Sequence, residues 1–316
     1  MDHLLHVNHL SVAQETDIRP FPIVTDISFS IDRREIVVLL GESGSGKTMM
    51  SRALTGLFPA GANLSWSGDI RFAGRRIDLH NEGEVLLLRR EGIRYIFQDP
   101  IAALNPVATI RSQLQNACNR KEDSEDEMIA ILNTVGIRNS SDVLNAYPHQ
   151  ISVGMAQRVT IALAIQSGPL LLVADEPTSA LDASLRYRLL DLLVSLRELR
   201  GMSILLITHD LRIAQRYGTR VIVMYKGHII ESADRKSFFD RPLHPYCQSL
   251  LDALPAPELR KRNQPVASPS LSASTLTTHG CRFAHECRLA DDRCATIEPV
   301  LEAPSAGREI RCHYWK

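Results

Sequence analysis

The segment Gly41–Thr48, with the sequence GESGSGKT, constrains this chain more than any other. It fits the pattern G-x-x-x-x-G-K-[ST] and follows the apolar run Ile36–Leu40. Glycines in this pattern let the backbone turn so that successive N–H groups point at phosphate oxygens, and the helix that follows adds its positive end. The lysine reaches the terminal phosphates, and the hydroxyl residue can ligate Mg²⁺. The residues expected to form this phosphate loop are Gly41, Ser43, Gly44, Ser45, Gly46, Lys47 and Thr48.

Composition places the chain among ordinary globular proteins. Its 316 residues are 44% hydrophobic and 23% charged, with 36 basic and 36 acidic side chains. This balance gives no reason to expect nucleic acid as a partner. No apolar stretch reaches the roughly 18 residues of a membrane span, and the N-terminus lacks the continuous hydrophobic segment of a secretory signal. We therefore expect the chain to stay in the cytoplasm, where it could dock on a membrane protein.

Strand-like and helix-like segments alternate along the chain, which predicts an α/β fold with a largely parallel sheet. The pattern indicates short strands before Gly41, a helix after it, and mainly helical structure from about residue 100 to 166. A helix over Ser184–Arg200 should end at Gly201. Further predicted strands are Ser65–Ile77, Ile93–Phe97, Leu170–Asp175, Ile204–Thr208 and Val221–Tyr225.

Two carboxylates end a predicted strand downstream of the phosphate loop. The apolar run Leu170–Ala174 leads into Asp175 and Glu176. A strand that ends beside the phosphate loop can place Asp175 near Mg²⁺ and point Glu176 toward an attacking water. Gln98 and His209 also follow predicted strands, and ligands of open parallel sheets bind at that end of the strands.

The order and spacing of these residues resemble those of the ATP-binding cassette (ABC) family. The resemblance covers residues 1 to about 254. The matching motifs are the Walker A loop Gly41–Thr48, the Q-loop residue Gln98, the signature Ser152–Gln157, the Walker B carboxylates Asp175 and Glu176, the D-loop Ser179–Asp182 and the switch histidine His209. Two further segments, Phe97–Pro106 and His244–Tyr246, look like those of the ATPase subunits of dipeptide, oligopeptide and nickel importers.

The resemblance implies a P-loop NTPase fold, with a RecA-like core, an antiparallel β subdomain and a helical subdomain. Two such cassettes would sandwich two ATP molecules, each lying between the Walker A loop of one subunit and the signature of the other, here Ser152 and Gly154. The implied catalytic residues are Glu176, His209 and Gln98. The implied ligands of Mg²⁺ are Thr48, Gln98 and Asp175.

The same resemblance implies a transport role. The chain would be the ATP-hydrolysing motor of a membrane importer of dipeptides or oligopeptides, with nickel or a metal chelate as the alternative solute. Its implied partners are a second ABC ATPase subunit, two transmembrane permease subunits and an extracytoplasmic solute-binding protein, at the cytoplasmic face of the membrane. A soluble cassette protein acting on ribosomes or DNA is less favoured, since the chain has a single cassette, no coiled-coil pattern and no basic patch.

The signature departs from the family pattern at Val153, which stands where the first glycine is usual. A β-branched residue does not readily hold a positive φ and would crowd a nearby phosphate. We therefore expect the ATP site completed by this signature to be weakened, and we favour a heterodimer with a second ATPase subunit that supplies a better signature. A mainly regulatory half of such a pair is the alternative.

The family usually stacks an aromatic residue on adenine, at a position that falls on Gln14 in this chain. The nearest aromatic candidate is Phe21. Loss of stacking would weaken ATP binding by about 1 kcal/mol, so the phosphates should still hold the nucleotide.

The predicted domains are a nucleotide-binding domain over residues 1–254, with its helical subdomain at about 100–166, a linker over 255–278, and a cysteine-rich extension over 279–316. Four of the six cysteines, at spacing Cys281-x5-Cys287-x6-Cys294-x17-Cys312, fall in that extension. Four thiolates suit either Zn²⁺ or a [4Fe–4S] cluster, and the spacing is not that of common zinc knuckles or ferredoxins. The resemblance implies the iron–sulfur cluster; zinc and free thiols are the alternatives.

Overall fold

The chain forms two β-sheets, and the larger one carries the phosphate loop at the end of a strand. The computed structural model describes residues 3–59, 61–117, 124–179, 181–253 and 280–316. The predicted linker over 255–278 therefore lies outside the described residues.

The strands are β1 (Leu5–Gln14), β2 (Phe21–Ile31), β3 (Ile36–Leu40), β4 (Leu64–Phe72), β5 (Arg75–Ile77), β6 (Ile93–Ile96), β7 (Leu171–Asp175), β8 (Ser203–Thr208), β9 (Arg220–Tyr225), β10 (His228–Asp234), β11 (Glu302–Ser305) and β12 (Arg308–Ile310).

The described helices surround these sheets. The helices are α1 (Lys47–Ala53), α2 (Glu82–Leu87), α3 (Ile110–Ala117), α4 (Glu125–Thr134), α5 (Ser140–Asn145), α6 (Val153–Gln166), α7 (Ala183–Arg200), α8 (Leu211–Tyr217), α9 (Arg235–Asp240), α10 (Pro245–Asp252) and α11 (Asp292–Thr296). A π-helical turn, Leu88–Gly92, continues α2, and a 3₁₀ turn, Pro148–Gln150, precedes α6. Helix α7 ends at Gly201, whose φ of 67° is left-handed, as the sequence predicts. None of the described helices is long and apolar enough to cross a bilayer.

The smaller sheet is antiparallel, in the order β2-β1-β4-β5. Its inward side chains, such as Leu5, Ile27 and Ile70, pack with Met50 and Leu54 around helix α1 in one buried cluster. The sheet therefore covers one side of the segment that follows the phosphate loop.

The larger sheet has the order β11-β12-β10-β9-β3-β8-β7-β6. Strands β6, β7, β8, β3 and β9 are parallel, whereas β10, β12 and β11 extend the sheet in antiparallel fashion. Every residue of β3, β7 and β8 is buried, because helices or the smaller sheet cover both faces, and their continuous apolar sequences reflect this. The predicted α/β class and parallel core are confirmed.

The parallel strands bring their carboxyl ends to one edge of the sheet. Leu40 pairs with Thr208, and Asp175 pairs with Ile207. The phosphate loop after β3, Glu176 after β7 and His209 after β8 therefore emerge side by side.

The cysteine-rich extension contributes two strands to this same sheet. Strand β12 pairs with β10 through Glu231 opposite Ile310, and β11 pairs with β12. Arg311 is buried and donates to the carbonyl oxygens of Ile229 and Asp26, at 3.2 Å each. The extension is thus anchored on the cassette by backbone pairing and a buried guanidinium.

Candidate nucleotide site

The phosphate loop is held in a glycine-dependent conformation. Gly44 and Gly46 have φ values of 83° and 97°, in the left-handed region that favours glycine. A Cβ atom at Gly41 would lie 2.4 Å from the carbonyl oxygen of Met224, so only glycine fits against β9 there. Helix α1 begins immediately after Gly46. The loop therefore leaves its N–H groups and the start of α1 facing the carboxyl edge of the sheet.

Lys47 folds its side chain back over the loop. Its Nζ donates to the carbonyl oxygens of Gly41 and Glu42, each at 2.8 Å. Burial lowers the pKa of Lys47, and the negative charges of Glu176 and Asp175 partly oppose that shift. The ammonium group is thus already located between the loop and the two carboxylates.

Asp175 lies at the centre of a hydrogen-bonded group. The Thr48 hydroxyl donates to its Oδ1 at 3.2 Å, and the Tyr95 hydroxyl donates to its Oδ2 at 2.8 Å. Ser51 Oγ lies 2.9 Å from the Tyr95 hydroxyl. Burial raises the pKa of Asp175, whereas the bonds from Tyr95 and Thr48 oppose this effect. A hydroxyl and a carboxylate that meet beside a phosphate loop are the protein ligands of Mg²⁺ in P-loop NTPases.

Tyr95 was not among the residues predicted from sequence to belong to the site. It lies in β6, next to β7 in the sheet, where Tyr95 pairs with Val173. Side chains alternate between the two faces of β6, which could have indicated that Tyr95 points toward α1. Its contact with Asp175 arises because β6 and β7 are neighbours in the sheet, and that order was not predicted from the sequence.

Glu176 adopts a left-handed backbone, with φ of 44°, which is uncommon for a residue other than glycine. Its N–H donates to the carbonyl oxygen of Ile207 at 3.0 Å, which anchors this turn to β8. His209 Nδ1 lies 3.1 Å from Glu176 Oε1. The structure therefore pairs these two predicted residues with each other.

Gln98 is exposed just beyond β6. Its backbone carbonyl oxygen accepts a hydrogen bond from the Ser179 hydroxyl at 3.5 Å. The structure thus joins the segment after β6 to the segment after β7, and it leaves the Gln98 side chain at the surface of the site.

Ser152 and Gly154 lie at the start of α6, apart from the loop of the same chain. Ser152 caps the helix by accepting a hydrogen bond from the N–H of Met155 at 3.3 Å. Within the described residues, neither Ser152 nor Gly154 is hydrogen-bonded to the phosphate loop. Val153 is the first residue of α6 and has no positive φ. The backbone therefore requires no positive φ of Val153 here, and its side chain is 44% exposed. The weakening of the ATP site completed by this signature stays a prediction.

The two positions considered for stacking on adenine lie opposite each other on strands β1 and β2. Gln14 pairs with Phe21 at the end of the β1–β2 ladder. The Phe21 side chain is 66% exposed. The role of Phe21 as the aromatic residue that stacks on adenine stays a prediction.

The four cysteines of the extension do not form the expected [4Fe–4S] or zinc site. Across the part of the chain that the structure describes, which includes all four, no group of three or more His, Cys, Asp or Glu side chains is arranged to hold a metal ion. Burial raises the pKa of each thiol, to about 11 for Cys294 and Cys312. Because no such arrangement exists among the described residues, the iron–sulfur prediction is wrong.

The arginines beside these cysteines have other partners. Arg288 donates to the amide oxygen of Gln248 at 2.6 Å, and Arg282 donates to His228 at 3.2 Å. Both arginines join the extension to the cassette.

Comparison with known proteins agrees with this geometry. The family described as ABC transporter matches residues 24–179, and the family described as oligopeptide/dipeptide transporter, C-terminal region, matches residues 230–294. The chain is 38% identical over 318 residues to the dipeptide transport ATP-binding protein DppD of Escherichia coli (strain K12), covering 98% of this chain and 96% of that protein. It is 36% identical over 323 residues to the oligopeptide transport ATP-binding protein AppD of Bacillus subtilis (strain 168), covering 100% and 98%.

A solved structure shares the fold. The cassette cbiO1 from Clostridium perfringens, part of the ABC transporter complex cbiONQ, has a TM-score of 0.63 and 28% identity, over 76% of this chain and 92% of that one. Together with the near full-length identity to peptide-transport ATP-binding proteins, this shows that the chain belongs to the ABC transporter family, as one of its ATP-binding cassette ATPases.

Proposed function

We propose that this chain is the ATP-hydrolysing motor subunit of a membrane importer of dipeptides or oligopeptides. The observation that carries the proposal is the connected site in which Thr48 meets Asp175 and Glu176 meets His209. The substrate class is supported by the relatives DppD and AppD, which are named as dipeptide and oligopeptide transport proteins. Nickel or a metal chelate, the alternative solute, has no comparable support among these relatives.

The phosphate loop would bind the phosphates of ATP. Its N–H groups and the start of α1 supply the positive end that phosphate oxygens require. When ATP binds, Lys47 Nζ would leave the carbonyl oxygens of Gly41 and Glu42, to which it now donates, and would donate to the terminal phosphates instead. The residues that would line this cradle are Gly41, Ser43, Gly44, Ser45, Gly46 and Lys47.

Thr48 and Asp175 would hold Mg²⁺. Their hydrogen bond places a hydroxyl and a buried carboxylate at one point beside the loop, and both are hard oxygen ligands of the kind that Mg²⁺ prefers. Gln98, at the surface of the site, would complete the set. When bound, Mg²⁺ would neutralise charge on the β- and γ-phosphates.

Glu176 would accept a proton from the water that attacks the terminal phosphate. The neighbouring His209 would fix the orientation of this largely covered carboxylate. This intact pair favours an active motor over a mainly regulatory half, because a regulatory chain has no need of a positioned base.

Ser152 and Gly154 would serve a second subunit. They lie at the start of α6 and, among the residues that the structure describes, form no hydrogen bond to this chain's phosphate loop, so they suit an ATP held by a partner. We propose that the partner is a second, different ATPase subunit, because the exposed Val153 side chain adds bulk where a phosphate would approach. Two permease subunits and an extracytoplasmic solute-binding protein would complete the importer, with this chain at the cytoplasmic face of the membrane.

The motor role is tested by reconstituting the importer in liposomes and measuring ATP hydrolysis together with dipeptide uptake. We expect Glu176→Gln to abolish both, while Glu198→Gln, an exposed glutamate on α7, leaves them unchanged. Uptake that survives Glu176→Gln would show that this chain's site is not the motor.

The pairing is tested by comparing ATP hydrolysis by this chain alone with hydrolysis by a mixture with the second subunit. We expect the mixture to be the more active, and Val153→Gly to raise the activity of the chain alone. Full, cooperative activity of the unaltered chain by itself would contradict the heterodimer.

A further inference from the structure

The motif His244–Tyr246 and the cysteine-rich extension have no role in the function proposed above, yet they meet behind the phosphate loop. The Tyr246 hydroxyl forms no hydrogen bond among the described residues; burial, together with the charge of Glu42, the second residue of the loop, raises the pKa of Tyr246. Glu42 is a connecting point within the loop, because its carbonyl oxygen accepts from Lys47 Nζ at 2.8 Å and from the Ser45 N–H at 3.2 Å. A shift of Glu42 would therefore move the lysine that is expected to meet the phosphates.

Tyr246 is fixed from behind by the extension. Its ring lies 4.7 Å from that of Tyr225 and 5.4 Å from that of Phe283, measured between ring centroids. Tyr225 and Phe283 are also 5.4 Å apart, edge to face. All three rings are buried, so two residues of the cassette and one of the extension form a single aromatic cluster.

Polar contacts also join the extension to the cassette beside this aromatic cluster. The Tyr225 hydroxyl donates to Glu286 Oε1 at 2.8 Å, and Lys226 Nζ lies 3.7 Å from the same oxygen. The next residue, Gly227, donates its N–H to the carbonyl oxygen of Ser45 at 3.0 Å. The extension thus holds the β9–β10 turn, and that turn holds the phosphate loop at a second point.

We propose that Tyr225, Tyr246, Phe283 and Glu286 form a brace that sets the conformation of the phosphate loop, with Glu286 as a positioning residue for nucleotide binding. The inference rests on the proposed nucleotide role of that loop. It gives the cysteine-rich extension a mechanical role: its contacts preorganise the loop before the phosphates arrive, which favours binding.

The test measures the affinity of the full-length chain for the non-hydrolysable analogue AMP-PNP with Mg²⁺. Tyr225→Phe keeps the ring and removes the hydroxyl that donates to Glu286, and Glu286→Gln weakens the hold on both Tyr225 and Lys226. We expect the dissociation constant to rise roughly two- to tenfold in each variant. In the reconstituted importer, KM for ATP should rise with little change in kcat.

The matched control is Glu302→Gln, on the same extension, where Glu302 accepts a hydrogen bond from Trp315 at 3.0 Å away from the loop. Its affinity should equal that of the unaltered chain. Unchanged affinity in Tyr225→Phe and Glu286→Gln, or an equal loss in Glu302→Gln, would overturn the brace. Should Tyr225→Phe fail to fold, Glu286→Gln alone decides. Failure of the unaltered chain to bind the analogue would instead refute the proposed function.

Discussion

His209 Nδ1 lies 3.1 Å from Glu176 Oε1, although 33 positions separate the two residues along the chain. Each residue follows the last residue of a strand, and those strands, β7 and β8, are parallel neighbours. The Glu176 side chain is 18% exposed and that of His209 is 64% exposed. The exposed imidazole can therefore respond to ligands or partners at the sheet edge while it orients a largely covered carboxylate.

Replacement of His209 should slow hydrolysis without preventing nucleotide binding. We expect His209→Gln to lower kcat for ATP by about 10²-fold, because a base that is no longer oriented loses most of its contribution. The dissociation constant for the Mg²⁺ complex of AMP-PNP should stay the same. The control is His285→Gln, an exposed histidine of the extension. Loss of binding in His209→Gln would contradict the orienting role.

Replacement of Tyr95 should raise the requirement for Mg²⁺. Its hydroxyl holds Asp175 Oδ2 at 2.8 Å, and loss of a group that orients a metal ligand typically lowers metal affinity by about tenfold. We therefore expect the Mg²⁺ concentration at half-maximal ATP hydrolysis to rise in Tyr95→Phe. Tyr217→Phe removes a similar bond to a surface aspartate, Asp191, at 2.7 Å, and should change nothing. An identical Mg²⁺ titration in Tyr95→Phe would refute this role.

Replacement of Glu231 should strongly destabilise the fold. This side chain is fully buried in β10 and accepts from the N–H groups of Leu243 and His244 and from Arg308 at 2.8 Å. Glu231→Gln would leave the Arg308 guanidinium without its counter-charge, which we expect to lower the free energy of unfolding by about 3–5 kcal/mol. Urea denaturation measures the change, with the exposed Glu198→Gln as control; a loss no larger than in that control would contradict the assignment.

Acid should destabilise the protein through His244. This histidine is buried, and burial lowers its pKa from 6.5 to about 4. Its Nδ1 accepts the N–H of Tyr246 at 3.1 Å and caps α10. Between those pKa values the unfolded chain binds more protons at this residue than the folded protein does, so stability falls as the pH drops through this window, by up to roughly 3 kcal/mol.

The variant His244→Asn checks this account, because asparagine also caps helices but does not titrate. Urea midpoints measured from pH 7 to pH 4 should depend less on pH in His244→Asn than in the unaltered chain. Equal pH dependence in both proteins would show that another group is responsible.

Local patterns sufficed for much of the fold. The glycine-rich loop, the buried strand before Asp175 and the helix that ends at Gly201 were predicted from short segments, because turn chemistry and apolar periodicity are local properties. The positive φ considered at Val153 does not occur, because this residue is the first of helix α6. The cysteine prediction was wrong because spacing along the chain does not show how four side chains are arranged in space.

The sequence by itself determined the phosphate loop, the two strand-end carboxylates and the parallel α/β core, since each depends on residue type and spacing within one segment. Only the tertiary structure decided that Tyr95 holds Asp175, that His209 meets Glu176, and that Glu286 of the extension contacts Tyr225 and Lys226. These contacts depend on which strands become neighbours and which side chains become buried, and both follow from packing of the whole chain.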